Sequence, residues 1–531
     1  MTVHFMNVFM KNVLYISCIL CFLSFQVVAQ SIELSSDFRM ASPFHEPDGA
    51  NDVVRLKGGD FITLAKLKGG LSGKADFAIE RNHGETFNVL WSKIISIPAT
   101  EEFKDLYFNG KDLMLLSVIH DEAAKVTKLI SYGYNIQDGT LLWTKELESY
   151  AVAAFVENDR RGSVKESFID VICEHTTPSF VTPFEYKHNI RFSADESKFV
   201  SYVFDFSDRM LVANVSVYDN AGKLLTKGKV NIDNGYVNYG MYINNRGELF
   251  IVNANAAGKV NVIRMNLETR AFDVIEIPGS NYKKDELLVH FISDDVLYVG
   301  AVELSQEKLI GVTYARLNFK TMQLEKTVFE KFEQSVFDLV SNGRKSNKTI
   351  KGEDNWMDYD LSHFFISEAG EIMMVLEKRS LFANGYPHIA PSTFDKKHQV
   401  EVNGHVQAEG ILIVSFDRDS KRNWVQYIAK NQVYPSTDGL NTISYVVDNS
   451  HHSNIRFMYA TSESFDGTIT TINVIYIDRS TGKIVKQTTL PNESKLMIVR
   501  DYTLWEENDK LVIVGRKGIT GKTSAIVRYK L

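Results

Sequence analysis

The stretch DGTLLWTKEL, Asp138–Leu147, is a tight Asp-Gly turn followed by an alternating, half-apolar run with one tryptophan. Similar stretches are NAGKLLTKGKV (Asn220–Val230) and STGKIVKQTTL (Ser480–Leu490). Their Gly-containing turns supply the positive-φ positions that β-hairpins need. Lys, Glu, Gln and Thr on alternate positions are typical of an edge strand that must not pair with other chains. The pattern predicts the outer strand of a repeated β-unit.

Two other kinds of segment recur in a fixed order with this outer strand. One is a turn that opens into a nearly continuous apolar run, as in NGKDLMLLSVI (Asn109–Ile119), which indicates a strand buried on both faces. The other has Val, Ile and Tyr on alternating positions and ends in a polar turn, as in LVANVSVYD (Leu211–Asp219). Each of these occurs eight times and the outer strand seven times. Where no insertion intervenes, the unit is about 50 residues long.

This repeat predicts an all-β fold, a β-propeller of eight four-stranded blades, with seven as the alternative count. An open stack of sheets is the competing architecture, but it predicts capping repeats at both ends, and none is visible. The missing eighth outer strand favours the ring. The last unit stops at Leu531 after its third strand, while SIELSSDFRM (Ser31–Met40) precedes the first unit. We expect this segment to join the last blade and close the ring. No convincing long helical period is seen from Asp138 onward.

The N-terminal residues differ in composition from the rest. Lys11 is the only charge in residues 1–29, and an apolar run extends from Val13 to about Phe25. With small residues before a cleavage point, this is typical of a secretory signal peptide. The run is shorter than the ~20 residues that span a bilayer. Residues 30–531 are then a single propeller domain, exported to the periplasm or the cell exterior, without a transmembrane span after leader cleavage. An uncleaved membrane anchor is the alternative.

Charge and cysteine content narrow the classes of partner. The net charge is −7, and loss of Lys11 with the leader makes it −8, which argues against a broad electrostatic grip on nucleic acid. Cys173 is the single thiol that remains, so the exported chain has no internal disulfide and must be held by its core. Cys173 itself lies among Val and Ile and is expected to be a small buried hydrophobe. We expect a monomer.

Three insertions exceed the repeat, at about residues 149–187, 335–360 and 382–409. The second insertion precedes the sixth blade, and the third interrupts that blade between its second and third strands. Together they are rich in acidic residues, aromatic residues and histidines. Long loops on a rigid scaffold often carry binding sites. Carboxylates accept hydrogen bonds from hydroxyl groups and rings stack on apolar faces, so the set suits a sugar or a cationic peptide. The alternative is a solvated insertion whose aromatics only pin it to the blade. The predicted ligand-binding residues are Trp356, Asp354, Asp358, Tyr386 and His388.

No pattern in the sequence assigns catalysis, a cofactor or a metal. His388, His398 and His405 do not have the spacing of a zinc site. A G-x-S-x-G elbow, a P-loop and a Cys/His nucleophile pair are all lacking. We therefore assign no catalytic residue, no cofactor and no metal ligand.

The outer-strand segment resembles a known repeat. QDGTLLWTKEL (Gln137–Leu147) is similar to the repeat of quinoprotein-alcohol-dehydrogenase-like propellers, and NVLWSKI (Asn88–Ile94) and RNWVQYI (Arg422–Ile428) match in part. Enzymatic members of that superfamily hold a quinone cofactor with calcium and a catalytic carboxylate on the ring axis, stacked on a tryptophan and an adjacent-cysteine disulfide. No cysteine pair survives maturation here, and no residue maps onto those roles. The chain also resembles uncharacterised exported propellers of Bacteroidetes-type bacteria.

These observations favour a non-enzymatic exported propeller that binds a protein or a glycan through the loops of one face. One alternative is an envelope enzyme, a lyase, hydrolase or quinone-dependent oxidoreductase, with its site at the axis. Such an enzyme predicts several acids, histidines or arginines converging on one mouth of the channel. The other alternative is a scaffold for outer-membrane assembly, which predicts a large exposed apolar patch.

Overall fold

The computed structural model describes most of the chain from Ile32 onward. The described residues are 32–38, 53–56, 58–69, 74–98, 101–121, 124, 126–151, 188–205, 211–232, 236–255, 259–278, 282–305, 308–346, 359–367, 369–383, 404–434, 445–450, 453–462, 469–492, 496–498, 503–506, 510–517 and 524–531. The predicted ligand-binding residues and Cys173 lie outside these ranges.

The first half of the ring holds four antiparallel blades, which follow a leading strand, β1 (Ile32–Phe38). Blade 1 is β2 (Val53–Arg55), β3 (Phe61–Gly69), β4 (Lys74–Asn82) and β5 (Val89–Pro98). Blade 2 is β6 (Glu101–Phe108), β7 (Asp112–Asp121), β8 (Val126–Asn135) and β9 (Leu141–Ala151). Blade 3 is β10 (Asn189–Phe192), β11 (Lys198–Asp205), β12 (Leu211–Asp219) and β13 (Leu224–Ile232). Blade 4 is β14 (Tyr236–Ile243), β15 (Leu249–Asn255), β16 (Val260–Met265) and β17 (Phe272–Ile277).

The second half repeats this order with small additions. Blade 5 is β18 (Tyr282–Phe291), β19 (Val296–Ser305), β20 (Lys308–Asn318) and β21 (Gln323–Lys331), followed by helix α1 (Gln334–Ser346). Blade 6 is β22 (Tyr359–Ile366), β23 (Ile372–Ala383), β24 (Gly404–Phe416) and β25 (Arg422–Ile428), with β26 (Gln432–Tyr434) also on β24. Blade 7 is β27 (Tyr445–Asp448), β28 (Asn454–Ser462), β29 (Ile469–Asp478) and β30 (Ile484–Pro491). Blade 8 is β31 (Leu496–Ile498) and β32 (Leu504–Glu506), both on β33 (Lys510–Lys517), then β34 (Ser524–Lys530).

The ring closes as the sequence predicts, and the blade count of eight is confirmed. Strand β1 pairs antiparallel with β34, from Ile32 opposite Tyr529 to Phe38 opposite Ser524, and so supplies the outer strand of blade 8. Each seam between neighbouring blades holds its own apolar cluster. At the closing seam, Phe61 and Phe87 of blade 1 pack with Val512 and Ile526 of blade 8. Burying both faces of the second strands is what the continuous apolar runs require.

The two ends of the ring differ in the length of their connections. In an antiparallel meander, the turns between first and second strands and between third and fourth strands lie at one end. We call this the tight-turn end, because its connections between described strands never exceed six residues. The other end carries the connections between blades and between second and third strands, including residues 152–188, 347–358 and 384–403. We call it the loop-rich end.

Helix α1 corrects the expectation that no long helix follows Asp138. Its buried positions, Val336, Val340 and Arg344, recur every four residues, which is a helical period. The third of them is charged, so the apolar stripe ends early in the sequence. Gly343 is a weak helix former, but a Cβ at this position would lie 2.5 Å from the Tyr427 ring, so a larger residue would require the ring to move. The helix occupies part of the insertion expected at about 335–360.

Candidate functional site

The candidate site is the loop-rich end around blade 6, where the sequence places the predicted ligand-binding residues. Trp356, Asp354 and Asp358 lie in the connection that enters β22, and Tyr386 and His388 lie in the connection between β23 and β24. Both connections leave the same blade at the same end. Among the described residues, several buried charged side chains lie at the roots of these connections.

A buried ionic cluster, defined as Arg344, Glu377, Lys378, Glu409 and Lys430, lies at these roots. The carboxylate of Glu409 pairs with the guanidinium of Arg344, and with the ammonium of Lys378 at 3.0 Å, and all three side chains are at most 7% exposed. Glu409 is thus the acceptor shared by the end of α1 and by β23. Gln407 Nε2 donates to the other carboxylate oxygen at 2.7 Å.

The second half of the ionic cluster is a pair that is fully excluded from solvent. Lys430 donates to Glu377, and both side chains are 0% exposed. Lys430 also donates to Gln432 Oε1 at 2.5 Å and lies 5.8 Å from the Tyr445 ring centroid of blade 7. Buried charges are costly unless they are paired and hydrogen-bonded. The ionic cluster therefore holds α1, β23, β24 and the start of β26 in one arrangement.

Tyr445 connects this region to the inner strand of blade 6. Its hydroxyl lies 2.6 Å from His363 Nδ1 and 2.5 Å from Ser362 Oγ. Ser362 Oγ also donates to the carbonyl of Val375 at 3.0 Å. The imidazole stacks on Phe365 with the ring centroids 5.4 Å apart. His363 is thus a half-buried imidazole of the inner strand whose orientation is fixed by the next blade.

A second polar cluster, which sequence reasoning missed, fills the seam between blades 2 and 3. We define the Glu148 cluster as Glu148 and Tyr150 of β9, His188, Ser201 of β11, and Ser216 and Tyr218 of β12. Ser201 Oγ donates to Glu148 Oε1 at 2.5 Å, and His188 Nδ1 lies 3.2 Å from the same oxygen. Tyr150 and Tyr218 donate to Glu148 Oε2 at 2.8 and 3.1 Å. The carboxylate accepts from four side chains and is 6% exposed.

The Glu148 cluster lies where the insertion of residues 152–188 leaves and re-enters the ring. Burial alone raises the pKa of Glu148, but the hydrogen bond and the charge of His188 and the hydrogen bond from Ser201 outweigh it, so this pKa lies below its usual value. Burial and the nearby carboxylate raise the pKa of both Tyr150 and Tyr218, which therefore remain donors. No sequence signal marks the cluster, because a charge on an outer strand is expected to face water.

The Glu148 cluster does not have the geometry of a nucleophile relay. A relay needs the imidazole between the serine and the carboxylate. Here Ser201 Oγ and His188 Nδ1 bind the same carboxylate oxygen, and they lie 3.4 Å from each other. His188 Nε2 is buried and has no hydrogen-bond partner among the residues that the structure describes.

The described residues offer no set of ligands for a metal ion. Within them, no group of three or more His, Cys, Asp or Glu side chains could hold a metal ion. On the inner strands, Arg191 lies over the ring of Tyr242 at 4.7 Å, a contact between blades 3 and 4. Within the described residues, no helix has the length and apolarity needed to span a membrane.

Comparison with known proteins assigns no family to the chain. No family model and no curated protein matches the chain. Among solved structures, Saccharomyces cerevisiae Sqt1 is 9% identical with a TM-score of 0.43, over 92% of this chain and 99% of that one. The polysaccharide lyase Uly1 is 10% identical with a TM-score of 0.39, over 93% and 92% of the two chains. The β-propeller domain of the trilobed protease from Pyrococcus furiosus is 8% identical with a TM-score of 0.33, over 87% and 98%. The chain is a β-propeller.

Proposed function

We propose that the chain is an exported propeller that binds a protein or a glycan at its loop-rich end, over blade 6. The observation that carries this proposal is the asymmetry of the ring. Every connection at the tight-turn end between described strands is short, whereas the longest connections all leave the opposite end. Binding residues lie disproportionately on the loops that a rigid scaffold positions.

The buried clusters support this proposal, because they lie at the roots of the long connections. The ionic cluster joins α1 to β23 and β24 through Glu409, and the Glu148 cluster joins the outer strand of blade 2 to the start of blade 3. A buried network holds its elements rigidly when its members are satisfied, as in the ionic cluster, whose charged side chains are all paired. A binding loop loses conformational entropy when it becomes ordered on its ligand, and a rigid root lowers that entropy loss.

The ligand class and the location belong to the same proposal. Trp356 and Tyr386 supply aromatic faces, and Asp354 and Asp358 supply acceptors, which together suit a sugar or a basic peptide. The N-terminal composition supports export to the periplasm or the cell exterior. Kinship with quinoprotein-like propellers rests on the resemblance of the outer strands. Two of their tryptophans, Trp91 and Trp424, bind the third-to-fourth-strand turn of the next blade.

Retention on polysaccharide columns tests the glycan form of the proposal. The chain from Gln30 onward, its Trp356→Ala variant and a Phe272→Ala control are applied to immobilised dextran and alginate. Phe272 is 63% exposed at the tight-turn end, so it matches Trp356 in chemistry but not in location. We expect Trp356→Ala to weaken retention at least tenfold and the control to leave it unchanged.

Photo-cross-linking in the cell of origin tests the protein form. A benzophenone side chain is placed at position 356 in one variant and at position 272 in another. A protein ligand at the loop-rich end gives a cross-linked product from position 356 only. Absence of both column retention and a cross-link from position 356, or equal products from both positions, would refute the proposal.

A further inference from the structure

The tight-turn end carries a rim of exposed apolar side chains. Leu141 and Leu142 of blade 2 are 51% and 49% exposed, and Leu224 and Leu225 of blade 3 are 40% and 41% exposed. Each pair occupies the first two positions of an outer strand, directly after the Gly-containing turn. We define the apolar rim as these four residues together with Val89, Leu90, Phe272, Ile484 and Val485, which hold equivalent positions in blades 1, 4 and 7.

The position of these side chains is not random over the surface. Isolated exposed hydrophobic residues are common and need no explanation. Here the same one or two strand positions are apolar in five blades, so the exposed groups share one level of the ring. Ile292 and Met322, in tight turns of blade 5, add to that level at 47% and 42% exposure. Exposed apolar groups that cluster on one part of a surface mark a site of interaction with a protein or a membrane.

The N-terminal chain leaves the ring at the same end. Ile32 pairs with Tyr529, and the neighbouring Lys530 pairs with Lys510, the first residue after the tight turn into β33. The start of β1 therefore lies at the tight-turn end. The apolar run that ends near Phe25 is seven residues from Ile32. A fully extended chain of that length reaches at most about 25 Å.

We propose that the tight-turn end docks on a lipid bilayer, with the apolar rim in the interfacial layer and the loop-rich end facing away. The bilayer is the occupant because the apolar N-terminal run joins the ring at this end, within a short reach of the rim. In the alternative where the run stays uncleaved as a membrane anchor, the membrane that holds it lies nearer to the rim than to the loop-rich end. Peripheral docking through apolar side chains requires no spanning helix.

Vesicle flotation tests the docking with the chain from Gln30 onward, which contains every described strand and lacks the apolar run. Vesicles of phosphatidylcholine alone, and of phosphatidylcholine with phosphatidylglycerol, are the probes. We expect the chain to float with both. The fourfold variant L141S/L142S/L224S/L225S should show at least a tenfold smaller bound fraction, and the same circular dichroism spectrum shows that it is folded.

A matched control removes exposed apolar side chains that lie outside the apolar rim. Ile94 and Phe329 are 68% and 46% exposed, but they lie farther along their strands, away from the tight-turn end. The double variant I94S/F329S should float within twofold of the parent. Equal loss in both variants would show general stickiness and overturn the proposal.

Four other outcomes also overturn it. The first is a parent chain that floats with neither vesicle. The second is flotation with the anionic vesicle alone that salt abolishes and that the fourfold variant leaves unchanged. The third is a dimer in light scattering that the fourfold variant dissociates, which would make a second copy the occupant. Copurification of a membrane protein through the rim, without flotation on protein-free vesicles, would favour an assembly scaffold. Loss of flotation leaves the loop-end proposal intact, since that proposal is measured by retention and cross-linking.

Discussion

The indole of Trp424 in blade 6 binds the turn of blade 7 that contains Arg479. Trp424 Nε1 donates to the Arg479 carbonyl at 2.8 Å, and the indole ring covers Gly482 of the same turn. Trp91 of blade 1 repeats this relationship, donating to the carbonyl of Ile136 at 3.1 Å, beside Gly139 of blade 2. A tryptophan on one outer strand thus fixes the position of the next blade.

The first prediction concerns Gly482. A Cβ at this residue would lie 2.4 Å from Trp424 Cδ2, and its φ of +69° also disfavours a side chain. We expect Gly482→Ala to destabilise the chain by more than the roughly 1 kcal/mol typical of a φ penalty alone. Urea unfolding measures the difference. Gly370→Ala is the control, because Gly370 has φ +82° and nothing within 4 Å of its Cβ position. Equal losses would show that the tryptophan moves aside at no cost.

Much of the fold could be predicted from the sequence because outer and second strands have simple patterns. Hairpin turns with Gly and unbroken apolar runs repeat along the chain. The segment Ser31–Met40, which belongs to no repeat, predicted how the ring closes, and its strand pairs with β34. The inner strands gave no comparable signal. Several contain a β-bulge, as between Leu361 and His363, and an extra residue breaks the alternation.

The candidate site was harder to predict from the sequence than the fold. Charges such as Glu148 and Lys430 are expected in water, and only their partners on distant strands explain their burial. The tryptophan contacts could not be predicted either, because they too depend on partners in other strands. Trp143 lies in the segment with the strongest resemblance, yet it packs on Gly133 of its own blade, while Lys145 Nζ donates to the carbonyl of Gly222 in the next turn at 2.7 Å. Pattern predicts the strand, but not which side chain crosses the seam.

The second prediction concerns the buried pair Lys430–Glu377. Lys430→Met leaves the Glu377 carboxylate without its lysine partner in a site with 0% exposure, so we expect a loss of about 3–5 kcal/mol in the free energy of unfolding. Urea denaturation measures it. Changing both residues, as Lys430→Met with Glu377→Leu, should recover a large part of that loss. Lys128→Met is the control, because its pair with Glu146 is solvent-exposed and should change stability by less than about 1 kcal/mol. A small effect of Lys430→Met alone would contradict the assigned burial.

The third prediction concerns the pH dependence of stability at Glu148. Its pKa in the folded chain lies below the ordinary value of 4.5, so the unfolded chain binds more protons in the window between the two values. The contribution of Glu148 is therefore fully present above that ordinary value and is lost as the pH falls through the folded pKa. We expect Glu148→Gln to be less stable than the parent at pH 7, and its stability to fall less steeply between pH 5 and pH 3.

Urea midpoints measured across this pH range test that expectation. Glu146→Gln is the matched control, since Glu146 lies two residues earlier on β9 and its side chain is 47% exposed. This control should follow the parent at every pH. A Glu148→Gln variant with an unchanged acid limb would show that the four hydrogen bonds to the carboxylate do not favour its charged form.

The fourth prediction concerns ring closure by β1. A chain that begins at residue 39 lacks β1, and β34 then becomes an unpaired edge beside the seam of Phe61, Phe87, Val512 and Ile526. Unpaired edges recruit other strands, so we expect a lower unfolding temperature than in the chain from Gln30, together with oligomers in light scattering.

A synthetic peptide, SIELSSDFRM, should pair with β34 and restore a monomer, because a strand added in trans makes the same main-chain hydrogen bonds. The same peptide with proline in place of Ser35, which pairs with Val527, should fail, since proline adds a ring and lacks an N–H. If the shortened chain stays monomeric and equally stable without the peptide, the ring is held by its other seams, and β1 is dispensable for closure.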